Sequence, residues 1–298
     1  MSTAREPSAD ESVEPVPEQS AEAAADAALD LASPVESTSV DPTRIAAFFD
    51  VDNTIIRGAS AFHLAIGLYR RDFFKIRDLV FAALQQWRFI ALGESKEQIS
   101  SVRDRALGIM KGHTVAEVTA IGEEVWDQVL SLRIFPGTRK ILDAHLAAGH
   151  QVWLITATPI EIGELIARHL GATGALATIA EHKDGVYTGR LVGEMMHGES
   201  KEAGARELAD RLGLDLAHCY AYGDSANDIP ILSSVGHPCA INPEPRLRRH
   251  AKDVGWPVRE FRGKRRLAKR GVKTASAAGL VWFLTQVARS VRRSIAKR

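Results

Sequence analysis

Two aspartates, Asp50 and Asp52, are the residues whose type and spacing point most directly to chemistry. They follow the apolar run 45–49, which is typical of a buried parallel strand. Ligands bind beyond the carboxyl ends of strands in an open α/β sheet, and two carboxylates there repel each other unless a cation or a proton intervenes. A hard divalent ion with oxygen ligands is therefore expected, above all Mg²⁺. The alternative is a solvated turn in which Asn53 and Thr54 help to cap the next helix.

A second pair of carboxylates, Asp224 and Asp228, follows the apolar run 217–222. Gly223 lies between this apolar run and the two carboxylates, and we expect it to let the backbone turn sharply. A helix N-cap is the competing interpretation of this segment. Because two carboxylates again lie at a predicted strand end, we favour convergence of both acidic segments on one metal ion.

Thr156, Ala157 and Lys201 are candidates for binding an anion. Thr156 directly follows the apolar run 151–155, and its hydroxyl and the Ala157 amide would hold phosphate oxygens at the start of the next helix. Lys201 lies near a predicted helix start, where the helix dipole disfavours a cation, but it would balance the charge of Asp50 and a phosphate. Taken singly, such a threonine is usually structural and such a lysine is usually on the surface.

The elements that would position these residues alternate between strand and helix. Strands are predicted at 45–49, 151–155, 217–222 and 238–242, and helices at 139–148, 159–170, 199–212 and 229–235. A hairpin is predicted over 179–191, with Asp184 and Gly185 at its turn. This alternation predicts an α/β fold with a doubly wound parallel sheet.

The stretch between the first two strands is predicted to be helical. Apolar residues recur at helical spacing over 60–91. Capping-box patterns at Ser95 and Thr114 open two further helices, which end near Met110 and Leu130.

Four segments, taken in chain order, resemble the motifs of the haloacid dehalogenase superfamily. They are Asp50-x-Asp52-x-Thr54, the strand end at Thr156, Lys201, and the segment 223–228. The resemblance covers 45–261 and is greatest to the phosphoserine-phosphatase-like branch, subfamily IB. It implies a Rossmann-like core and a helical cap of the C1 type that closes over the site and excludes water.

The resemblance and the chemistry together imply a Mg²⁺-dependent phosphate monoester hydrolase with an aspartyl-phosphate intermediate. Asp50 is the predicted nucleophile, since a carboxylate attacks phosphorus once the phosphate charge is neutralised. Asp52 is predicted to protonate the leaving group and then to activate water, and the resemblance assigns its backbone carbonyl to the metal. The predicted metal set is Asp50, Asp52 and Asp224.

The other predicted site residues bind phosphate or support the site. The phosphate-binding set is Thr156, Ala157, Lys201 and Asn227. The supporting residues are Thr54, which is expected to fix its loop by hydrogen bonding, and Asp228, which is expected to support the metal shell.

The sequence departs from the phosphoserine phosphatase pattern at the residues that would select the substrate. Phosphoserine phosphatases carry an acidic residue shortly after the first motif, which meets the substrate ammonium, but 55–61 contains none. They also use a cap arginine, for which Arg103 and Arg105 are candidates. Phosphoserine is the leading small phosphorylated substrate. The alternatives are a lipid or sugar phosphate at the membrane surface, or a phosphate-binding regulatory module with little turnover.

The composition is that of an ordinary soluble protein, but its two ends carry opposite charge. Of 298 residues, 45% are hydrophobic and 25% charged, and the net charge is +1. Residues 1–40 carry nine acidic residues against one arginine, and residues 246–298 carry seventeen Lys and Arg against two acidic residues. The two cysteines form no disulfide or zinc pattern, and no secretory signal is present, so a cytoplasmic protein is expected.

The predicted domains follow from these boundaries. They are an acidic disordered tail (1–40), the core (41–57 and 132–261), the helical cap (58–131) and a basic amphipathic segment (262–298). Within the last, 280–297 suits a peripheral helix on the inner face of an anionic membrane, since the uncharged run 274–288 is shorter than the roughly 20 residues that span a bilayer. The alternatives are a helix packed on the protein itself or a solvated tail. No nucleic-acid partner is expected, and the sequence predicts no particular oligomeric state.

Overall fold

A computed structural model of the chain describes residues 41–71, 108 and 110–262. The predictions for 1–40, for most of the first two cap helices with Arg103 and Arg105, and for the basic segment with 280–297 lie outside the described residues.

Six parallel strands form the central sheet. They are β1 Ala46–Asp50, β2 Gln151–Pro159, β3 Gly174–Thr178, β6 Tyr220–Gly223, β7 His237–Ile241 and β8 Val258–Arg259. Their order across the sheet is β3-β2-β1-β6-β7-β8, and every neighbouring pair is parallel. The predicted α/β fold with a doubly wound parallel sheet is confirmed.

Two further strands, β4 Ala180–Lys183 and β5 Val186–Leu191, form the predicted antiparallel hairpin. Its turn residues Asp184 and Gly185 have positive φ angles of 52° and 77°, as a two-residue hairpin turn requires.

Seven α-helices are present in the described ranges. They are α1 Ser60–Arg70, α2 Val115–Val125, α3 Pro136–Ala147, α4 Ile160–Leu170, α5 Glu199–Leu212, α6 Ile229–Ser234 and α7 Pro245–Asp253. Short 3₁₀ turns cover Pro42–Arg44, Ser131–Arg133, Leu216–His218 and Ala226–Asp228, and a π-helical turn covers Trp126–Leu130. None of these helices is long and apolar enough to cross a bilayer.

Side chains of β1 alternate between two apolar layers. Phe49 packs in the layer that contains Leu142 of α3 and Ile162 of α4. Phe48 packs in the opposite layer with Leu208 of α5, as well as with residues of α6 and α7. Helices therefore cover both faces of the sheet. Because both faces of β1 are buried, its sequence is a continuous apolar run.

Register brings the ends of three strands to one edge. Asp50 at the end of β1 pairs with Ile155 of β2, and Phe49 pairs with Tyr222 of β6. The next residues of the two neighbouring strands, Thr156 and Gly223, consequently lie beside Asp50. The carboxyl edge of the sheet is thus where the residues with candidate chemistry meet.

Three elements were not predicted from the sequence: β3, α7 and β8. In β3 the segment is rich in alanine and glycine, which have low strand propensity, and Gly174 is needed there because a Cβ would lie 2.7 Å from the Trp153 ring. The predicted strand 217–222 is also too long at its start. Asp215 accepts a hydrogen bond from the Ala217 amide at 3.0 Å, and this capping holds Leu216–His218 in a 3₁₀ turn before β6 begins.

The described part of the cap consists mainly of α1 and α2. The predicted capping box is present, with Thr114 Oγ1 accepting from the Glu117 amide at 3.1 Å and the Glu117 carboxylate accepting from the Thr114 amide at 2.8 Å. The helices approach closely, since a Cβ at Gly67 of α1 would lie 2.6 Å from Val125 of α2.

Candidate active site

Three carboxylates converge at the carboxyl edge of the sheet. Asp50 is the last residue of β1, Asp224 follows β6 directly, and Asp228 ends the 3₁₀ turn after it. One carboxylate oxygen of each lies within 4.8 Å of the other two. The two acidic segments of the sequence therefore form one cluster.

Lys201 supplies a buried cation to this cluster from the first turn of α5. Its Nζ donates to Oδ1 of Asp50 and to Oδ1 of Asp228, both at 2.6 Å. Burial by itself lowers the pKa of Lys201, but the two carboxylates outweigh it and raise the pKa above its ordinary value. The ammonium group thus remains charged at neutral pH.

Asp228 has its hydrogen-bonding capacity filled by the protein. Oδ1 accepts from Lys201, while Oδ2 accepts from the amides of Asp224 and Ser225 at 3.1 and 3.0 Å and from the Ser225 hydroxyl at 3.1 Å. Ser225 and Asp228 form a capping box beside the acidic cluster, so the capping that the alternative interpretation of this segment proposed is present. Asp228 is therefore suited to anchoring Lys201 and the loop of Asp224.

Gly223 provides space for a neighbouring side chain. The backbone bends at the next two residues, but Gly223 is not among the residues with positive φ, so the backbone conformation alone does not require glycine. A Cβ at Gly223 would instead lie 2.6 Å from Cβ and 2.7 Å from Oδ2 of Asp228. Glycine is needed because the Asp228 side chain packs directly on this backbone.

Asp50 and Asp224 keep oxygen atoms that no described group hydrogen-bonds. Asp50 Oδ1 is bonded to Lys201, and Asp224 Oδ2 lies 3.3 Å from Nη2 of Arg262. Burial raises the pKa of Asp50 well above its ordinary value, against the opposing effect of Lys201, and Asp228 raises it further. Burial and the neighbouring Asp228 likewise raise the pKa of Asp224 to about 7.

The charges of the site match a divalent cation. The carboxylates of Asp50, Asp52, Asp224 and Asp228 would carry four negative charges, against one positive charge each from Lys201 and Arg262. The remaining formal charge, −2 with Arg262 beside Asp224 and −3 without it, together with free oxygens on Asp50 and Asp224, fits a hard ion such as Mg²⁺. The charge and the oxygen ligands of this site therefore fit Mg²⁺.

Asp52 is held by the start of α1. Its Oδ1 accepts from the amide of Ser60 at 2.8 Å and from the Ser60 hydroxyl at 2.5 Å. Burial raises the pKa of Asp52, and the two bonds from Ser60 oppose that rise. The carboxyl group of Asp52 is thus separate from the bonds around Lys201, which leaves it suited to proton transfer.

Thr54 bonds in the loop after Asp52 through its backbone. The Thr54 hydroxyl is buried without a hydrogen-bond partner among the described groups. The Thr54 carbonyl instead accepts from the hydroxyl of Thr138 at 2.7 Å. Asn53, with a φ of 59°, accepts the Gly58 amide on its side-chain oxygen at 3.1 Å. The backbone and Asn53 fix this loop.

The predicted phosphate-binding residues lie at the same edge with different exposure. Thr156 is buried, and its hydroxyl lies 3.1 Å from that of Thr158 and accepts from the Thr158 amide at 3.2 Å. Ala157 is exposed at the end of β2, and Asn227 is exposed in the turn between Asp224 and Asp228. Their roles toward a phosphate remain predictions.

Asn242 is a positioning residue that sequence reasoning missed. It is fully buried at the end of β7, and its Nδ2 donates to the Asn53 carbonyl at 3.1 Å. Its Oδ1 accepts from the amides of Phe261 and Arg262 at 2.7 and 3.0 Å. The available signal was its place at the end of a predicted strand, which is where Asp50 and Asp224 also lie.

Comparisons with known proteins agree with this geometry. The family model described as haloacid dehalogenase-like hydrolase matches residues 47–233. A protein named phosphoserine phosphatase SerB1, from Mycobacterium tuberculosis (strain ATCC 25618 / H37Rv), is 47% identical over 257 residues, covering 84% of this chain and 83% of that protein.

Two solved structures share the fold. A protein of unknown function from Bordetella pertussis Tohama I has a TM-score of 0.65 and 31% identity, covering 74% of this chain and 99% of that chain. A substrate-bound phosphoserine phosphatase complex has a TM-score of 0.52 and 19% identity, covering 74% of this chain and 94% of that chain. At 19% identity this second likeness concerns the fold alone.

Proposed function

This chain belongs to the haloacid dehalogenase-like hydrolase family, and we propose that it is a Mg²⁺-dependent phosphatase that hydrolyses a phosphate monoester through Asp50. The observation that carries the proposal is the asymmetric bonding of Asp50. One oxygen is tied to Lys201 and the other is left free, at a strand end where Asp224 supplies a second free carboxylate oxygen.

In the proposed reaction Asp50 acts as the nucleophile. One carboxylate oxygen of Asp50 attacks phosphorus, and an aspartyl-phosphate forms as the ester oxygen departs, while the other oxygen remains for Lys201 and the metal. Lys201 holds the attacking carboxylate in place and balances its charge. Thr156 and the Ala157 amide would bind phosphate oxygens, and the start of α4 favours an anion there.

Asp52 acts as the acid and then as the base. Its raised pKa favours a carboxyl group that can protonate the departing alkoxide, and the resulting carboxylate then takes a proton from the water that attacks the aspartyl-phosphate. The two bonds from Ser60 hold the carboxyl group in one orientation through both steps.

Asp50, Asp224 and the Asp52 backbone carbonyl would hold Mg²⁺, which when bound neutralises phosphate oxygens. Asp228 would remain outside this set, because its oxygens are already bonded to Lys201 and the 224–225 segment.

Phosphoserine is the leading substrate, because a relative 47% identical to this chain is named a phosphoserine phosphatase. A second candidate is a phosphate ester of a larger, partly apolar alcohol, such as a lysophosphatidic acid. Arg57, five residues after Asp52, lines a groove of about 450 Å³ with Gln128, Val129, Leu132 and Arg133, which combines basic with apolar side chains.

A panel of phosphate esters with Mg²⁺ tests the proposal. L-phosphoserine, p-nitrophenyl phosphate, glycerol 3-phosphate and a lysophosphatidic acid are compared by kcat/KM, with EDTA as the metal-free arm. Asp50→Asn is expected to abolish turnover, while the matched surface variant Asp210→Asn keeps it. Phosphoserine turnover no faster than that of the aryl phosphate would exclude the serine assignment. Phosphate binding without turnover of any ester would identify a binding module instead.

A further inference from the structure

The last described residues, 258–262, form a strap that runs along the candidate site. Val258 and Arg259 of β8 pair with Ala240 and Ile241 of β7. Beyond them the chain lies against α3, where a Cβ on Gly137 would be only 2.1 Å from the Phe261 ring. The strap is therefore held in place by its pairing with β7 and by the close contact of the Phe261 ring with Gly137 of α3.

The backbone of Arg262 is fixed by the residue that also holds the Asn53 loop. Asn242 Oδ1 accepts the amide hydrogens of both Phe261 and Arg262. The same side chain donates to the Asn53 carbonyl. The position of Arg262 relative to Asp50 and Asp52 is therefore set by a buried residue and not by chance contact at the surface.

The guanidinium group of Arg262 reaches Asp224 from the solvent side. Its Nη2 lies 3.3 Å from Asp224 Oδ2, with 46% of the Arg262 side chain exposed against 11% for Asp224. Lys201, by contrast, is 6% exposed and makes two bonds of 2.6 Å. Of these two cations, Arg262 is the one whose contact breaks at low cost, because water can replace it.

We propose that Arg262 is a resident counter-cation of Asp224 that is displaced when Mg²⁺ binds, so that Mg²⁺ and the Arg262–Asp224 pair compete for one carboxylate. The inference rests on the proposed function, which places Mg²⁺ between Asp50 and Asp224. It deepens that function by making Arg262 a residue that sets the affinity for the metal. Lys201 stays in place because its partners include Asp228.

Competition between Arg262 and Mg²⁺ for Asp224 predicts the direction in which removal of Arg262 changes the affinity for Mg²⁺. A positive charge beside a metal ligand repels a divalent cation, and the carboxylate must give up its contact with the guanidinium before it binds the ion. Removal of the charge should therefore tighten Mg²⁺ binding. A residue that merely orients Asp224 for the metal would have the opposite effect on removal.

Isothermal titration of the full chain with MgCl₂ tests the inference without any substrate. Arg262→Gln is expected to bind Mg²⁺ roughly three- to tenfold more tightly than wild type at low ionic strength. Arg262→Lys, which keeps the charge, should stay within about twofold of wild type, and so should Arg249→Gln, which removes an exposed charge on α7. Thermal unfolding of each variant without metal shows that it is folded.

Unchanged or weaker Mg²⁺ binding by a folded Arg262→Gln would overturn the inference. This result would leave the proposed function intact if wild type still hydrolyses an ester and the Asp50→Asn variant does not. Wild type that neither binds Mg²⁺ nor turns over any ester would overturn both.

Discussion

Lys201 Nζ lies 2.6 Å from Oδ1 of Asp50, although 151 positions separate the two residues along the chain. The same atom bonds Asp228 at 2.6 Å. One buried ammonium group thus connects the end of β1 with the turn after β6. Without it, adjacent buried carboxylates would repel each other or take up protons.

Lys201→Met is expected to destabilise the protein and to remove activity. Breaking a buried pair leaves an uncompensated carboxylate, so we expect a loss of about 3 kcal/mol in the free energy of unfolding, measured in urea without metal. Turnover should fall by at least about 100-fold, because the charge beside the nucleophile is lost. Lys140→Met, an exposed lysine of α3, is the control. A Lys201→Met protein as stable as wild type would contradict the structural role given to this pair.

The acidic cluster could be predicted from the sequence because each of its two segments follows an apolar run that predicts a parallel strand. Asp50 and Asp224 each follow an apolar run, and parallel strands place their carboxyl ends at one edge. The bounds of α5 were also predicted correctly, and Lys201 with them. Membership of the haloacid dehalogenase family, predicted from four ordered motifs, is confirmed by the family match and the curated relatives.

The roles of Ser60, Asn242 and Arg262 could not be predicted because they depend on contacts that the local sequence pattern does not encode. Ser60 holds Asp52 across eight positions, and Asn242 reaches Asn53 across 189. Arg262 was assigned to the basic segment by its charged neighbours, whereas it contacts Asp224. For Thr54 the motif predicted a hydrogen bond but not which atom makes it: the carbonyl accepts from Thr138, while the hydroxyl has no partner among the described groups.

Gly223→Ala is expected to damage the site through Asp228. The added methyl group would lie 2.6 to 2.7 Å from the Asp228 side chain, which must then move away from Lys201 and the Ser225 amide. We expect kcat to fall by roughly 100-fold, with a loss of about 2 kcal/mol in unfolding free energy from overpacking. Gly108→Ala is a matched control, because no atom of the described residues lies within 4 Å of the added Cβ. Equal kcat in wild type and Gly223→Ala would contradict the close-packing argument.

Mg²⁺ binding should weaken as the pH falls below 7. The pKa of Asp224 is raised to about 7 by burial and by Asp228, so the metal-free protein increasingly holds a proton there below that pH. Mg²⁺ needs the ionised carboxylate and must expel this proton. Calorimetric affinity should fall roughly 15-fold between pH 7 and 5.5, because half of Asp224 is already protonated at pH 7 and the slope approaches tenfold per pH unit only well below that. Asp224→Asn should bind weakly at all pH values, and a wild-type affinity that is the same at pH 8 and 5.5 would contradict the assignment.

A buried network of His145, His150 and Tyr222 lies in the apolar layer behind the site. His145 Nδ1 lies 2.9 Å from His150 Nδ1, and His145 Nε2 lies 2.8 Å from the Tyr222 hydroxyl. The Tyr222 ring stacks on Phe49, the residue before Asp50, with ring centroids 4.4 Å apart. Burial, with added contributions from the neighbouring His150 and His237, lowers the pKa of His145 to about 3.

This network predicts that acid destabilises the protein through His145. Its folded-state pKa lies below the ordinary value, so the stability it contributes is full above about pH 6.5 and is lost as the pH falls toward 3, because only the unfolded chain takes up the proton. Between pH 7 and 4 the loss should be roughly 3 kcal/mol. His145→Gln lacks this titration, so urea unfolding at several pH values should show wild type more stable at pH 7 and the difference narrowing by pH 4. His182→Gln, at an exposed histidine of β4, is the control, and a difference that stays constant with pH would show that His145 does not titrate on unfolding.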